Sequence, residues 1–217
     1  MLKLVSLIIL ALSGCSFGPG NLQSRHSTDV EARRIRRIAV MLPADSAAQV
    51  SKAPATPGEP KISERDSTEI LARISHSVMN GLPNWQIVSE SEVREVSQTI
   101  SATGEGARLR QLGEMVYADA VMIGRMQRYR ERVGDEWGAK SPASVAFVLD
   151  LVDVRRGDVV WSASFDETQK SLSENIFAIG DIGARGVRWL TAEQLATEGV
   201  KKAVAQLHQL IARAPTS

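Results

Sequence analysis

Apolar residues follow two patterns along this chain: short uninterrupted runs and longer stretches with helical spacing. An uninterrupted run is typical of a strand that is buried on both faces of a sheet. Such runs predict strands at 35–42, 85–88, 118–124, 143–154 and 159–165. The last two flank the turn at 155–158 and give the clearest hairpin signal in the chain. The strand at 118–124 is predicted to continue as a polar, half-exposed strand to Arg132.

Apolar residues spaced three and four apart predict helices that begin near 63, 89, 104 and 191. Three of these helices begin with a capping box or a variant of one, namely Ser63 with Asp66, Ser89 with Glu92, and Thr191 with Gln194. Strands and helices alternate early, and a meander follows. This order predicts a single α/β (α+β) domain over residues 35–213, in which helices flank a mixed β-sheet in a three-layer-like arrangement.

The start of the chain has the pattern of an export signal. Lys3 is followed by an apolar run from Leu4 to Leu12, which is too short to cross a membrane, because a span needs about 20 residues. The run ends in Leu12-Ser13-Gly14-Cys15, which resembles the lipobox of bacterial lipoproteins. That resemblance implies a signal peptide over 1–14, diacylglyceryl transfer to the sulfur of Cys15, cleavage before Cys15, and acylation of the new amino terminus. The alternative is an ordinary cleaved signal that happens to contain a cysteine.

Two stretches lack any apolar periodicity. Residues 15–34 are polar and contain Gly18, Pro19 and Gly20, which predicts a lipidated flexible tether. Ser16 follows Cys15 in place of an aspartate, which resembles sorting to the outer membrane, with the domain facing the periplasm. Residues 43–62 contain four prolines, at 43, 54, 57 and 60, and are interpreted as either a functional loop or a mobile insertion.

Charge and composition narrow the classes of partner. Lysine and arginine number 26 and aspartate and glutamate 25, so the chain lacks the concentrated positive charge that nucleic-acid binding needs. Removal of 1–14 takes away only Lys3 among the charged residues, so membrane attachment must come from the lipid. A single cysteine excludes intramolecular disulfides, and three histidines far apart, at 26, 76 and 208, offer no metal centre. We expect no cofactor.

The sequence predicts no catalytic residues. Gly-x-Ser-x-Gly, Ser-x-x-Lys and His-Glu-x-x-His are all absent. Asp150 and Asp153 have an odd spacing on one predicted strand, so their side chains point to opposite faces and are better suited to sheet-end and turn roles than to paired acid–base chemistry. His76 has the setting of an ordinary helix histidine. We therefore expect that the protein is not an enzyme.

Two sets of arginines are candidates for binding. Arg128, Arg130 and Arg132 alternate onto one face of an extended segment and form a candidate surface for an acidic partner, a glycan or a phospholipid head group. The alternative is that these charges protect an exposed strand edge. A second set, at 33, 34, 36 and 37, lies close in sequence to the lipidated terminus and is a candidate for contact with anionic head groups, or a solvated strand start.

Three segments carry a family resemblance. They are 38–43 (Ile-Ala-Val-Met-Leu-Pro), 118–124 (Ala-Asp-Ala-Val-Met-Ile-Gly), and 149–153 followed by 157–161. In order and spacing they resemble a group of small periplasmic domains that includes the TolB amino-terminal domain, LpoB and CsgG. The resemblance implies a non-catalytic domain that contacts another envelope protein in cell-envelope assembly or maintenance. The alternative is an oligomeric structural subunit of a CsgG-like secretion or assembly complex.

Overall fold

A computed structural model describes residues 21–41, 64–136, 138–169 and 189–212. The strands are β1 Leu22–His26, β2 Arg37–Met41, β3 Gln86–Ile87, β4 Ala120–Arg130, β5 Val133–Gly134, β6 Ala139–Ser141, β7 Ser144–Asp153 and β8 Val159–Thr168. The helices are α1 Glu64–Asn80, α2 Glu90–Thr99, α3 Glu105–Met115 and α4 Ala192–Ala212, and a short 3-10 helix covers Val30–Arg33. The predicted strands, helices and hairpin are confirmed where these residues cover them. The loop 43–62, the cap at Ser63 and the signal segment lie outside the described residues.

The main sheet has six strands in the order β1-β8-β7-β4-β2-β3. Strand β2 is parallel to both of its neighbours, β3 and β4. The other neighbouring pairs, β4–β7, β7–β8 and β8–β1, are antiparallel. The short hairpin β5–β6, which follows β4 and precedes β7 in the sequence, forms a separate two-stranded sheet. The predicted α/β (α+β) class with a mixed sheet is therefore confirmed.

Helices cover both faces of the central strands. Helices α1 and α4 pack on one face over a core that includes Leu71, Met122, Phe147, Trp161 and Leu195. Helices α2 and α3 pack on the other face over a smaller core that includes Ala39, Val93, Leu112, Val121 and Ile123. Because successive strand side chains point to opposite faces, β2 and the first half of β4 must be apolar at every position, which explains their uninterrupted runs.

The predicted flexible tether over 15–34 is wrong from Leu22 onward. Strand β1 pairs with β8 in an antiparallel register that places Leu22 opposite Phe165. The 3-10 helix that follows buries Val30, which is 1% exposed. The hydrophobic pattern could not show this strand, because Leu22 is its only apolar residue and its stability comes from backbone hydrogen bonds to β8. The folded domain therefore extends back at least to Leu22 rather than starting at 35.

The sheet has two ends that differ in composition. The pairs Leu22 with Phe165, Phe165 with Phe147, and Phe147 with Met126 place the start of β1 level with the second half of β4. We call this end of the sheet the arginine end, because β4 carries Arg128 and Arg130 there. The opposite end, which we call the turn end, carries the turn 154–158 between β7 and β8 and the start of β2.

The predicted Ser89 and Thr191 caps are present at two helix starts, and the reciprocal bonds of a full capping box are present at α4. The Ser89 hydroxyl accepts a hydrogen bond from the Glu92 backbone N–H (3.3 Å) at α2. At α4 the exchange is reciprocal: Gln194 N–H donates to Thr191 Oγ1 (3.2 Å), and Thr191 N–H donates to Gln194 Oε1 (3.0 Å). These caps satisfy backbone donors that the first helical turn leaves without partners.

Gly199 should be essential for the approach of α4 to the sheet. A methyl group at this position would lie 2.7 Å from Cδ1 of Phe165, a buried ring stacked on Phe147. We expect Gly199→Ala to lower the free energy of unfolding by about 1–3 kcal/mol, because the ring has no room to move. The matched control is Gly106→Ala in α3, where nothing lies within 4 Å, and which should raise stability by about 0.5 kcal/mol. Urea unfolding checks both, and equal effects of the two variants would contradict the packing argument.

Candidate functional site

The extended segment with Arg128, Arg130 and Arg132 that the sequence predicted lies at the arginine end of the sheet. Its first member, Arg128, follows a register shift between Met126 and Arg128 and pairs opposite Ala146 of β7. The Arg128 Nε donates to the hydroxyl of Ser144 (2.7 Å), and its Nη2 forms an ion pair with the carboxylate of Asp166 on β8. The guanidinium thus ties three neighbouring strands together, yet the side chain keeps 31% of its surface exposed.

Arg130 and Arg132 have different settings. Arg130 is the last residue of β4, is half-buried and lies on the same face as Arg128. Arg132 lies beyond the strand, and its Nη1 donates to the backbone carbonyl of Trp189 (2.7 Å), just before α4. Glu131 lies between these two arginines, and its Oε1 accepts from the N–H of Ala192 (3.1 Å) at the start of α4. Of the three predicted arginines, Arg128 and Arg130 therefore lie on strand β4, whereas Arg132 lies beyond it and binds the connection to α4.

The sheet face beneath these arginines is polar beyond Ile123, where α2 and α3 no longer cover it. Arg125 bridges the carboxylates of Asp150 (2.5 Å) and Glu105. The remaining side chains that β7 and β8 present to this face are, by register, Ser144, Ala146, Val148, Ser162, Ser164, Asp166 and Thr168. Such a surface holds charges of both signs in fixed pairs. The guanidinium groups have five N–H donors each, so they can bind a further acceptor without giving up these partners.

The pairing of β4, β7 and β8 gives Arg128 two partners that the sequence did not predict. Neither Ser144 nor Asp166 stood out in the sequence as a partner of Arg128. The only available signal was the predicted hairpin 143–154 with 159–165, but the exact pairing Ala146 with Asp166 depends on a shift near Val152. The predicted turn role is confirmed for Asp153, which accepts a hydrogen bond from the N–H of Arg156 (2.9 Å). For Asp150 the predicted sheet-end or turn role is wrong, because it lies within β7, opposite Ile123, and binds Arg125.

The second arginine set lies at the turn end, away from the start of β1. The Arg33 side chain is only 6% exposed, and its guanidinium contacts the carboxylates of Asp29 (3.0 Å), Asp153 (3.3 Å) and Asp158 (2.8 Å). Arg37 donates to the carbonyl of Val116 (3.1 Å). The interpretation of Arg33 as a residue available to anionic head groups is therefore wrong, because its guanidinium is buried among three carboxylates. Arg34 and Arg36 are exposed at the start of β2, as the alternative of a solvated strand start predicts, and β1 and the 3-10 helix carry the chain from Leu22 at the arginine end to this set.

The ion cluster around Arg33 shifts the pKa values of Arg33, Asp29 and Asp158. Its hydrogen bonds to Arg33 hold the pKa of Asp158 below the ordinary value of 3.8. The pKa of Asp29 is likewise lowered by hydrogen bonds from Arg33 and from Ser27. Hydrogen bonding to Asp158 raises the pKa of Arg33 further above its already high value, despite the opposing effect of burial. Arg33 therefore stays charged, and the cluster links the N-terminal segment to the β7–β8 turn.

A groove of about 670 Å³ lies between α1 and α4. Its apolar lining includes Ile74, Val78, Leu82 and Val204, and an ion pair between Arg73 and Glu193 (3.1 Å) crosses its rim. His76 and His208 are engaged elsewhere: the Nε2 of His76 lies 3.2 Å from the carbonyl of Val88, and that of His208 lies 3.0 Å from the carbonyl of Pro83. In both contacts the partner of the histidine ring is a backbone carbonyl oxygen and not a carboxylate.

The part of the chain that the structure describes has neither a metal-binding cluster nor a membrane-spanning helix. Within 21–41, 64–136, 138–169 and 189–212, no cluster of three or more histidine, cysteine, aspartate or glutamate side chains could hold a metal ion. In the same part of the chain, no helix combines the length and the apolar character that crossing a membrane requires.

Comparisons with known proteins identify no family for this chain. No family model and no curated protein match the chain. Among solved structures, the PelC dodecamer from Paraburkholderia phytofirmans matches at 16% identity and a TM-score of 0.47, over 86% of this chain and 95% of that one. The LpoB C-terminal domain from Salmonella enterica matches at 16% identity and a TM-score of 0.36, over 62% and 83%. Lipoprotein GNA1162 from Neisseria meningitidis matches at 17% identity and a TM-score of 0.39, over 69% and 96%.

These identities and TM-scores assign the chain no function. LpoB is one member of the group whose resemblance the sequence suggested, and the resemblance to TolB and CsgG stays a prediction.

Removal of the Arg33 guanidinium should have a pH-dependent effect on stability. At neutral pH, Arg33→Met leaves Asp153 buried without its counter-charge, which should lower the free energy of unfolding by about 3 kcal/mol. Because Arg33 lowers the pKa of Asp29 and Asp158 in the folded protein, their contribution is complete above about pH 4 and is lost as these carboxylates protonate. The difference between wild type and variant should therefore shrink as the pH falls below about 4.

Urea unfolding of both proteins from neutral pH to acid measures this difference. The control is Arg36→Met, because Arg36 is exposed at the same end of the sheet and should change stability by less than about 0.5 kcal/mol. A difference between wild type and Arg33→Met that stays constant with pH would contradict the assigned role of the cluster.

Proposed function

We propose that the protein is a bacterial lipoprotein, attached through acyl chains on Cys15 to the outer membrane and facing the periplasm. The observation that carries the proposal is Leu12-Ser13-Gly14-Cys15 at the end of a short apolar run. The folded domain supports it, since the chain enters the sheet at Leu22, only seven residues after Cys15. A lipidated cysteine needs such a connection, because the domain must fold clear of the bilayer while its terminus stays within it.

The anchor must come from lipid. The mature chain has equal numbers of basic and acidic residues once Lys3 is removed, so no excess of positive charge holds it to an anionic surface. Two or more acyl chains bind a membrane stably, whereas a single chain binds only marginally. The acylation that the lipobox resemblance implies would therefore be sufficient by itself.

We further propose that the domain acts without catalysis, as a protein–protein interaction module in cell-envelope assembly or maintenance. The charged side chains of its polar sheet face are held in pairs, as Arg125 is by Asp150 and Arg128 by Asp166. Fixed pairs of this kind suit recognition by complementary charge better than proton transfer, which needs a group whose pKa lies near the working pH. The partly exposed Arg128 and Arg130 are the residues that we propose meet the partner.

Replacement of the anchor cysteine should release the protein from the membrane. In cells that express Cys15→Ser, we expect the protein to shift from the membrane fraction to the soluble fraction, because no acyl chain can be attached to the serine. Arg36→Ser, a change in the folded domain, should leave the membrane fraction unchanged. Immunoblotting of the two fractions measures the shift. A Cys15→Ser protein that remains in the membrane fraction as the wild type does would overturn the lipoprotein proposal.

The interaction surface can be tested by crosslinking in living cells. The double variant Arg128→Ser/Arg130→Ser should reduce recovery of the crosslinked partner by about fivefold, which corresponds to a loss of about 1 kcal/mol of binding free energy. Arg132 is left in place because it holds the connection to α4 through the Trp189 carbonyl. The matched control, Arg36→Ser/Arg155→Ser, removes two exposed arginines at the turn end and should leave recovery unchanged.

Mass spectrometry of the crosslinked material distinguishes the outcomes. Recovery of an envelope protein that depends on Arg128 and Arg130 supports the proposal. Recovery of only further copies of the same chain would replace it with a homo-oligomeric assembly. Equal recovery with both double variants, when both unfold at the wild-type temperature, would show that the arginine end is not the interaction surface.

A further inference from the structure

Strand β1 forms one edge of the six-stranded sheet. It pairs with β8 on one side, and among the described residues no strand lies on its other side. Natural edge strands carry prolines, bulges or several charges, because these features prevent pairing with another strand. Strand β1 has no proline, its register with β8 has no shift, and Arg25 is its one charged residue at neutral pH. The open side of β1 therefore has little protection against a further strand.

The hydrogen bonds to β8 show which backbone groups of β1 point to the open side. The N–H of Asp166 donates to the carbonyl of Asn21 (2.8 Å), and the N–H of Ser27 donates to the carbonyl of Val160 (2.9 Å). Hydrogen-bonded residues alternate along an antiparallel strand, so the odd-numbered residues of β1 direct their N–H and carbonyl groups to β8. The even-numbered residues direct theirs to the open side, and these are Leu22, Ser24 and His26.

The side chains of β1 also alternate between two different faces. The Ser24 hydroxyl donates to Oε1 of Gln206 on α4 (3.0 Å), so the even-numbered side chains lie on the face that α4 covers. Gln23 and Arg25 lie on the opposite, polar face of the sheet and are exposed. These two side chains determine which alignment of a further strand avoids a clash of charge.

We propose that β1 pairs in antiparallel orientation with β1 of a second copy of this chain, about a twofold axis at Ser24. In this alignment Ser24 lies opposite the same residue of the second copy, and Leu22 lies opposite His26, so all open-side N–H and carbonyl groups of both strands have partners. Gln23 lies opposite Arg25, so no like charges face each other. An axis shifted to Arg25 would place two arginines directly opposite each other, and a shift in either direction would leave open-side groups of β1 without partners.

The helices leave room for this pairing. Helix α4 contacts β7, β8 and β1, so it lies over β8, the middle strand of these three. In the pair, three strand spacings of about 4.8 Å separate the two β8 strands, so the two copies of α4 lie about 14 Å apart. Packed helices approach each other to about 8–10 Å, so the backbones of the two helices do not clash.

The self-pairing goes beyond the proposed function and is compatible with it. It does not depend on the attachment at Cys15. Arg128 and Arg130 lie on β4, which β7 and β8 separate from β1, so a partner protein can contact these arginines in the paired form.

A pair of cysteine variants tests the alignment. Gln23→Cys and Arg25→Cys are made separately in the full chain with Cys15→Ser, so that the introduced cysteine is the only thiol. In the proposed pair, position 23 of one copy lies about 4.5 Å from position 25 of the other between Cα atoms, which is within the range of a disulfide. Identical positions lie about 8 Å apart, beyond the limit of about 7 Å.

The two purified variants, one of them lengthened by a tag, are mixed in detergent and oxidised with copper phenanthroline. On a non-reducing gel, we expect at least about fivefold more of the mixed dimer than of the dimer that either variant forms alone. Equal yields, or no dimer in any sample, would overturn the self-pairing. An excess of the dimer that Arg25→Cys forms alone would overturn the alignment about Ser24.

A proline variant tests whether the backbone of β1 makes the contact. Ser24→Pro removes an N–H that points to the open side and none that binds β8, and an edge strand tolerates proline at such a position. Added to both cysteine variants, it should lower the yield of mixed dimer by at least about fivefold and leave the unfolding temperature within about 4 °C. An undiminished yield from chains that unfold at this temperature would contradict pairing through the backbone.

Discussion

The ion cluster of Arg33 is the interaction on which the position of the N-terminal segment depends. A buried guanidinium is stable only when its charge is matched, and here the carboxylates of Asp29, Asp153 and Asp158 surround it. Two of these, Asp153 and Asp158, belong to the β7–β8 hairpin, so the cluster fastens the segment after β1 to the turn end of the sheet. This contact holds the segment after β1 at the turn end, while β1 itself runs antiparallel along β8 from the arginine end.

The interior of the sheet could be predicted from sequence because burial on both faces forces an uninterrupted apolar pattern. The runs around Val40, Val121 and Val148 therefore located three strands, and capping boxes located the starts of α2 and α4. The edge strand β1 could not be predicted in this way. An edge strand is held mainly by backbone hydrogen bonds to its neighbour, and these leave no trace in the order of side chains.

The candidate site also combines features that could be predicted from the sequence with features that could not. The sequence identified Arg128, Arg130 and Arg132, because alternating charges are visible without knowledge of the fold. It could not identify Asp166 or Ser144 as their neighbours, because cross-strand contacts depend on a register that includes two irregularities, one in β4 and one near the β7–β8 turn. The interpretation changes accordingly: Arg128 is paired with a carboxylate and Arg132 binds a backbone carbonyl, so this end of the sheet is a structured polar surface rather than a patch of unmatched positive charge.

Nearness in sequence to an anchor is a poor guide to nearness in space when the first element is a strand. Arg33 and Arg37 lie closer to Cys15 along the chain than Arg128 does, yet β1 carries them to the turn end, whereas Arg128 lies at the end where β1 starts. An extended strand advances about 3.3 Å per residue, so even five residues of β1 move the chain by about half the length of this sheet. The antiparallel pairing of one short edge strand therefore places Arg33 and Arg37 at the end of the sheet opposite to the one from which β1 starts.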